Sequence, residues 1–508
     1  MKIKSMKLKN FRSYKEEIEI KFDDLTVFVG KNDIGKSTIL EALDIFFNDG
    51  KGIVKLDKND INKEAILNGE NEIQISVCFE ELPENIIIDT TNETSFQKEY
   101  LLNEKGQLEI VKKYINGSSV KVYIKALHPS NPLCSELLSK KDNELKKIID
   151  TNKIECTDKT RNAIMRSAIW EYYKDNLQLK LIELDVSTKD GKEIWSKIES
   201  ILPLYTLFQA DRKNSDGDNE IQDPLKEAVK VILKDKKLQE KLKYVAEEVE
   251  NKLKEVSEKT LEKLKEMNPE VSNTLQPIIP ETSTLKWNDV FKNVSICGDE
   301  NIPINKRGSG VKRLILLNFF RAEAERRMKE SEIPEIIYAI EEPETSQHTE
   351  NQKKLVKAFL ELSKNKNTQI ILTTHSANIV KELKFSHLRL INFIENKKNV
   401  CEVIEEQLPY PSLNEVNFSA FCEATEEYHN ELYGYIEEQG WLCEYKSGKE
   451  EREYIRITKH SKKHEKKILS EYIRHQIHHP ENKKNIRYTE KELKESIVSM
   501  REFISTKK

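Results

Sequence analysis

The sequence predicts an α/β fold with an inserted helical, coiled-coil-like arm and a C-terminal all-α module. Strands and helices alternate near the start of the chain and again between residues 301 and 400. A long amphipathic pattern covers residues 223–267, and strand-like segments largely disappear beyond about residue 410. We therefore divide the chain into an N-terminal lobe (1–215), an arm (216–285), a second lobe (286–405) and a C-terminal module (406–508).

Composition excludes several classes of protein. The 508 residues include 84 Lys and Arg against 88 Asp and Glu, so overall charge imposes no general attraction to nucleic acid. The chain has neither an apolar leader nor about 18 consecutive apolar residues, so we expect a cytoplasmic protein without a membrane partner. Seven scattered cysteines without a CxxC pair predict neither a zinc site nor a disulfide framework.

A phosphate-binding loop is predicted at residues 30–37, which fit the pattern G-x-x-x-x-G-K-[ST]. The loop follows an apolar strand at 25–29 and precedes a predicted helix at 36–47, which is the context that this pattern requires. Backbone N–H groups of such a loop surround phosphate oxygens, the lysine bridges the β- and γ-phosphates of ATP, and the serine hydroxyl binds Mg²⁺. The predicted nucleotide-binding residues here are Gly30, Asn32, Gly35, Lys36, Ser37 and Thr38.

Acidic residues follow a second buried strand, which we predict at residues 336–340. Glu341 and Glu342 would lie at the carboxyl end of this strand, where open α/β sheets bind ligands. Glu341, together with Ser37, is predicted to hold Mg²⁺, and Glu342 to polarise the attacking water.

Two further segments point to the same edge of the sheet. The strand 369–373 precedes His375, which is placed to contact a γ-phosphate. Gly308, Ser309 and Gly310 open a predicted helix from Val311 to about Met328, whose N-terminus is able to receive phosphate.

In this order the four segments resemble the ABC-type ATPase heads of the SMC-like and OLD families, as does the run Lys9–Arg12 near the start. The resemblance implies that residues 307–312 reach the γ-phosphate of ATP bound by a second copy, giving an ATP-sandwiched homodimer or a higher oligomer. Glu341 departs from the Asp that is commoner in these families, and the sequence does not identify a Q-loop glutamine, for which Gln74 and Gln209 are both candidates. OLD-type proteins usually carry a Toprim nuclease, which this chain looks to lack.

The arm shows apolar residues at steps of three and four between 238 and 264. A helix lying on its own domain and a projecting coiled coil are equally compatible with this pattern.

The C-terminal module is basic, with 18 Lys and Arg against 10 Asp and Glu over residues 445–508. Arg474, His475 and His479 lie at the end of a helix predicted to begin near Ser461, and an amphipathic helix is predicted at 489–504. The spacing Arg-His-x-x-x-His is similar to the motif of HEPN ribonucleases, which implies catalysis by Arg474 and His479 without a metal. His478 is an alternative to His479, and a noncatalytic module that binds a partner or nucleic acid is an alternative to the enzyme.

The predicted function is that of an ATPase whose nucleotide-dependent dimerisation controls this C-terminal effector. The resemblance places such chains in bacterial anti-phage defence, with RNA or DNA and a phage-derived trigger as expected partners. Two alternatives remain: a sensor or scaffold subunit for a separate nuclease, as in Septu-like or PARIS-like systems, and an SMC-like DNA-handling ATPase.

Overall fold

The structure, a computed structural model, describes the chain from residue 1 to 507 with several gaps. The described residues are 1–50, 52–88, 93–117, 119–187, 191–209, 232–233, 235, 237–248, 251, 335–345, 347–394, 397–408, 410–457 and 462–507. Of the predicted arm, residues 237–248 are helical. The predicted Gly308–Gly310 turn and the helix after it lie outside the described residues.

The described elements alternate between strands and helices over most of the chain. The strands are β1 (Lys2–Lys9), β2 (Ile18–Lys21), β3 (Leu25–Val29), β4 (Glu72–Glu80), β5 (Ile86–Ile87), β6 (Glu93–Thr94), β7 (Leu108–Ile115), β8 (Ser119–Pro129), β9 (Leu179–Asp185), β10 (Leu204–Phe208), β11 (Ile336–Glu341), β12 (Thr368–Thr374), β13 (Leu388–Ile394), β14 (Lys397–Glu402), β15 (Glu451–Ile457) and β16 (Lys462–Ile468). The labelled helices are α1 (Lys36–Asn48), α2 (Lys63–Leu67), α3 (Asp142–Asn152), α4 (Asn162–Tyr172), α5 (Gly191–Ile201), α6 (Thr349–Leu362), α7 (Ala377–Lys381), α8 (Leu413–Phe421), α9 (Glu426–Glu438), α10 (Leu442–Lys446), α11 (Leu469–His478) and α12 (Glu490–Ser505).

One sheet carries the predicted nucleotide-binding segments. Its strand order is β10-β11-β12-β3-β13-β14, and every neighbouring pair is parallel except the β13–β14 hairpin. The strands β3 and β11 are buried along their whole length, as expected for a sheet covered on both faces. Because parallel strands end at one edge, this topology brings residues about 300 positions apart in sequence to the same edge.

The second large sheet is antiparallel, with the order β2-β1-β4-β7-β8-β9. Helix α1 packs between the two sheets, and nine of its 13 residues are buried. A small helical insertion between β8 and β9 contains α3 and α4 and has its own apolar core around Trp170. The predicted α/β class is therefore confirmed, and α1 is held from both sides by apolar packing.

The C-terminal module is mainly helical, and α9, α11 and α12 share one apolar core. The expectation of an all-α module is wrong in one respect, because β15 and β16 form an antiparallel hairpin. The predicted helix start near Ser461 is also wrong, since residues 462–468 are extended and α11 begins at Leu469. The sequences of these two strands are highly charged and show no alternation of apolar and polar residues. Cross-strand pairs of opposite charge, such as Arg456 with Glu465, stabilise them instead.

Helix α8 connects the module to the parallel sheet. Val416 and Ala420 belong to the apolar core that contains the sheet strands and α7, whereas Phe418 belongs to the core of the C-terminal module. The Asn417 side chain donates to the backbone carbonyl of Ala377 at 3.3 Å. One short helix is therefore part of both cores.

Candidate nucleotide-binding site

The loop that joins β3 to α1 has the backbone geometry that the phosphate-binding pattern predicts. Gly35 has φ 106°, in the region that favours glycine, and Asp33 has φ 60°. A methyl group on Gly30 would lie 2.9 Å from the carbonyl oxygen of Ile391. The two glycines are therefore required, one by its dihedral angle and the other by the close approach of β13.

Helix α1 begins at Lys36 after Gly35, without a side-chain cap on its first N–H groups. Unpaired N–H groups at a helix N-terminus bind anions readily. Ser37 is partly exposed and Thr38 is buried in this first turn, while Asn32 is exposed in the loop. The structure thus brings together all six predicted residues of the loop.

Lys36 is almost completely buried, at 4% exposure. Its ammonium group donates to the carbonyl oxygens of Gly30 at 2.9 Å and Lys31 at 3.0 Å. Burial lowers the pKa of Lys36, and the carboxylates of Glu342 and Glu344 act in the opposite direction. A cation held here by weak carbonyl acceptors gains a stronger interaction when phosphate enters the loop.

The carboxylates predicted at the end of β11 lie at the same edge of the sheet. Glu341 is buried and is paired in register with Thr373 of β12. Glu342 has φ 38°, a conformation that costs energy in any residue except glycine. Its N–H donates to the carbonyl oxygen of Thr373 at 3.0 Å, which holds the turn in place.

His375, which follows β12, contacts two carboxylates that follow β11. Its Nδ1 lies 3.2 Å from Glu342 Oε2 and 3.4 Å from Glu344 Oε1. Glu344 is 3% exposed and accepts hydrogen bonds from the Thr374 hydroxyl at 2.6 Å and from the His375 N–H at 2.9 Å. Burial raises the pKa of Glu344, although these hydrogen bonds act to lower it. Glu342, Glu344 and His375 thus form one hydrogen-bonded group at the predicted γ-phosphate position.

Sequence reasoning gave Glu344 no role. Its contacts with Thr374 and His375 join residues about 30 positions apart, and the sequence carries no local signal for them. Only the general rule that strand ends carry polar ligands pointed to this region.

The structure also separates the two Q-loop candidates. Gln209 directly follows β10, which pairs with β11, so it lies at the same edge as Glu341. Its side chain donates to Glu41 of α1 at 3.3 Å, and Glu41 also pairs with Arg12. Gln74 instead lies in β4 of the antiparallel sheet. Position therefore favours Gln209 over Gln74.

The donor set at this edge suits magnesium. The hydroxyl of Ser37 and the carboxylate of Glu341 are hard oxygen ligands, which Mg²⁺ prefers alongside phosphate oxygens and water. Within the described parts of the chain, no group of three or more His, Cys, Asp or Glu side chains is arranged to hold a metal by itself.

The two residues of the C-terminal motif contact different neighbours. Arg474 pairs with Glu437 of α9 at 3.0 Å, and its guanidinium lies 4.4 Å from the centre of the Tyr433 ring. His479 follows the end of α11, is exposed, and lies 3.3 Å from Glu481. His479 has already left the helix, with φ −129° and ψ 60°, which accounts for the separation of these contacts.

Two other histidines lie near these residues. The ring of His475 stacks on that of His479, with centroids 6.3 Å apart, and contacts the Tyr454 ring at 5.1 Å. His429 of α9 is fully buried, and its Nε2 lies 3.0 Å from the Ser496 hydroxyl. Burial lowers the pKa of His429 to about 3, and the charge of Arg474 acts in the same direction. His429 is therefore a neutral core residue.

Comparison with known proteins identifies the relatives of this chain. The family described as AAA ATPase domain (AAA_15) matches residues 1–380. The curated protein "Endonuclease GajA" of Bacillus cereus (strain HuB5-5) is 25% identical over 463 aligned residues, which cover 80% of this chain and 62% of that protein. The chain thus spans less than two thirds of the length of this relative.

Solved structures with some similarity include SMC heads. The SMC head domain from Thermotoga maritima matches with a TM-score of 0.30, 13% identity, and coverage of 80% of this chain and 100% of that one. An Smc head from Pyrococcus furiosus, bound to the C-terminal domain of ScpA, matches with a TM-score of 0.36, 14% identity, and coverage of 78% and 95%. At these low TM-scores, the fold assignment rests on the strand order and register given above. Among the described residues, no helix combines the length and apolar character needed to cross a bilayer.

Proposed function

The chain belongs to the AAA ATPase domain family, and we propose that it is a nucleotide-driven switch that controls a C-terminal effector acting on nucleic acid. ATP hydrolysis is the activity of the family. The observation that carries the proposal is the meeting of Lys36 with Glu342, Glu344 and His375 at one sheet edge.

Each residue at this edge has a separate role in hydrolysis. Lys36 binds the β- and γ-phosphates once phosphate oxygens replace its contacts with the loop carbonyls. Glu342 accepts a proton from the attacking water, and His375 contacts the γ-phosphate from the same side. Mg²⁺ held by Ser37 and Glu341 would supply positive charge to the phosphate oxygens.

The route from this edge to the C-terminal module is short. Helix α7 begins two residues after His375 and packs on α8, which belongs to both apolar cores. Lys381 at the end of α7 also pairs with Glu427 of α9. A displacement of His375 on hydrolysis would therefore be passed to α8 and α9 through direct contacts.

Dimerisation is the second part of the proposal. In the family resemblance, Gly308, Ser309 and Gly310 of one copy close over ATP bound by its mate. These residues lie outside the described part of the chain, so the support for a dimer is the resemblance.

For the effector we propose a HEPN-like nuclease with Arg474 and His479 as its catalytic residues, active in anti-phage defence. Support comes from the basic composition of residues 445–508 and from the name of the relative, an endonuclease. Because Arg474 and His479 contact different neighbours, a composite site would pair residues of two copies, which fits an ATP-dependent dimer.

An RNA-cleavage assay tests the proposal. Purified full-length protein with ATP should cut total tRNA, and Arg474→Ala or His479→Ala should reduce cutting at least a hundredfold because a general acid/base or a charge-stabilising group is lost. Lys491→Ala, which removes an exposed cation of α12, is the matched control and should leave cutting unchanged. No cleavage by the wild type with ATP, ADP or no nucleotide would reject the nuclease and leave a partner-binding module.

A further inference from the structure

Lys398 lies beside the phosphate-binding loop, on the side away from the carboxylates. Strand β13 runs parallel to β3 and therefore ends at the same edge, and β14 returns from it with Lys398 opposite Phe393. The Lys398 ammonium group donates to the Ser13 hydroxyl at 2.6 Å. A methyl group on Gly35 would lie 2.8 Å from this ammonium nitrogen, so Lys398 is in contact with the start of α1.

The charge of Lys398 is poorly compensated in this position. It forms no ion pair with any residue that the structure describes, and burial lowers its pKa. Lys398 lies at the N-terminus of α1, which carries positive potential and has Lys36 as its first residue. A cation beside a helix N-terminus is unfavourable unless an anion is bound next to both.

The strand order determines which part of a nucleotide reaches Lys398. In the sheet, β12 lies on one side of β3 and β13 lies on the other. Glu342 and His375, which mark the γ-phosphate position, lie on the β12 side. A triphosphate in the loop with its γ-phosphate at that side directs its α-phosphate and nucleoside toward β13 and β14.

We propose that Lys398 and Phe393 form the nucleoside-side wall of the ATP site, with Lys398 binding the α-phosphate and Phe393 stacking on the base. Phe393 is 60% exposed and lies near the end of β13, opposite Lys398. The Lys398 ammonium nitrogen lies 5.3 Å from the centroid of the buried Tyr14 ring and 5.7 Å from that of the exposed Phe393 ring, so Lys398 and Phe393 are neighbours beside the loop. An aromatic face of this kind binds a nucleobase without selecting by hydrogen bonds. The inference rests on the proposed binding of ATP by the loop.

The test compares two ligands, ATP and inorganic triphosphate, by calorimetric titration of the full chain. Lys398→Met should weaken binding of both ligands about tenfold or more, because a charged hydrogen bond to phosphate is lost. Lys398→Arg should restore most of the affinity. Phe393→Ala should weaken ATP about fivefold or more and leave inorganic triphosphate unchanged, because only ATP carries a base.

Two reference variants, Lys491→Met and Lys36→Ala, distinguish failure of the Lys398 inference from failure of the proposed ATP site. Lys491→Met removes an exposed cation of α12 and should bind both ligands as the wild type does. If Lys398→Met also binds ATP as the wild type while Lys36→Ala does not bind, the inference is overturned and the proposed ATP site stands. If Lys36→Ala keeps wild-type affinity, the proposed site itself fails. Equal weakening of both ligands by Phe393→Ala would assign the ring a structural role and overturn the base contact.

Discussion

The nucleotide edge of the parallel sheet and the end of helix α11 both carry motifs, but they bring their residues together differently. At the sheet edge, Lys36, Glu342 and His375 come from three segments, and parallel strands place them together. At the end of α11, Arg474 and His479 are only five residues apart, yet they contact different neighbours. Motif residues that are close in sequence at the end of a helix are therefore a weaker indication of a shared site than residues at the ends of neighbouring parallel strands.

The largest effect on the nucleotide edge is expected from removal of the loop lysine. Lys36→Ala should abolish ATP binding, with at least a hundredfold loss of affinity, because no other described side chain takes the buried position at the loop carbonyls. Calorimetric titration with ATP measures this loss. Lys353→Ala, an exposed lysine of α6 in an ion pair with Glu382, is the control and should keep wild-type affinity.

Unchanged ATP turnover by Lys36→Ala would show that the sheet edge is not the site of chemistry. The contrast between the nucleotide edge and the end of α11 would then no longer hold.

A sharper test separates binding from chemistry at the same edge. Glu342→Gln should slow hydrolysis about a hundredfold or more while ATP still binds, because the amide cannot accept the proton of the attacking water. Trapped ATP should then hold two copies together, which light scattering would detect as a doubling of mass. A chain that stays monomeric with bound ATP would count against the sandwich dimer.

The C-terminal module offers a contrasting carboxylate, buried for structural reasons. Glu415 of α8 is fully buried and pairs with Arg501, whose Nε lies 2.9 Å from Glu415 Oε2, and it accepts the hydroxyl of Tyr428. Glu415→Gln should destabilise the module by about 3–5 kcal/mol, because Arg501 is left without its buried counter-charge. The affinity for ATP should not change.

Hydrogen exchange of α9 and α12 measures the stability of this module, and calorimetry measures the affinity for ATP. Glu444→Gln removes an exposed partner of Lys507 and should have little effect. A loss of ATP binding in Glu415→Gln alone would contradict this expectation and would mean that ATP binding depends on the stability of the module through α8.

The parts that sequence reasoning predicted well are those fixed by strong local patterns. The strand β3, the helix α1 and the strand β11 lie where apolar runs and a glycine turn placed them. Residues 80–215 gave no reliable pattern, because the insertion between β8 and β9 is stabilised by its own long-range core. The hairpin β15–β16 was missed since its charged strands depend on cross-strand pairs that no local periodicity reveals.

The same distinction applies to the site. The pattern of residues 30–37 implies a specific backbone geometry, so its residues were predicted together. Glu344 and Lys398 were missed because their contacts, with His375 and with Ser13, arise only when the sheet assembles. Motifs with a local mechanism were thus predictable, and side chains that serve the site through tertiary contacts were not.

The smallest effect should be on the pH dependence of the stability of the C-terminal module, which His429 is expected to determine. In the folded chain, burial holds the pKa of His429 at about 3, while an unfolded histidine has a pKa near 6.5. Between these values the unfolded chain binds a proton that the folded chain does not, so stability is lost as pH falls below about 6.5. At pH 5 the loss is about 2 kcal/mol relative to neutral pH.

Hydrogen exchange of α9 and α12 at pH 7 and pH 5, corrected for intrinsic rates, measures this loss. His429→Gln keeps a polar group for the Ser496 hydroxyl but cannot be protonated, so it should remove most of the pH dependence. His464→Gln, at an exposed position of the hairpin, should leave the dependence as it is in the wild type. If His429→Gln and the wild type lose equal stability at pH 5, His429 is not the titrating group, and the polar contacts of the module respond to pH through other residues.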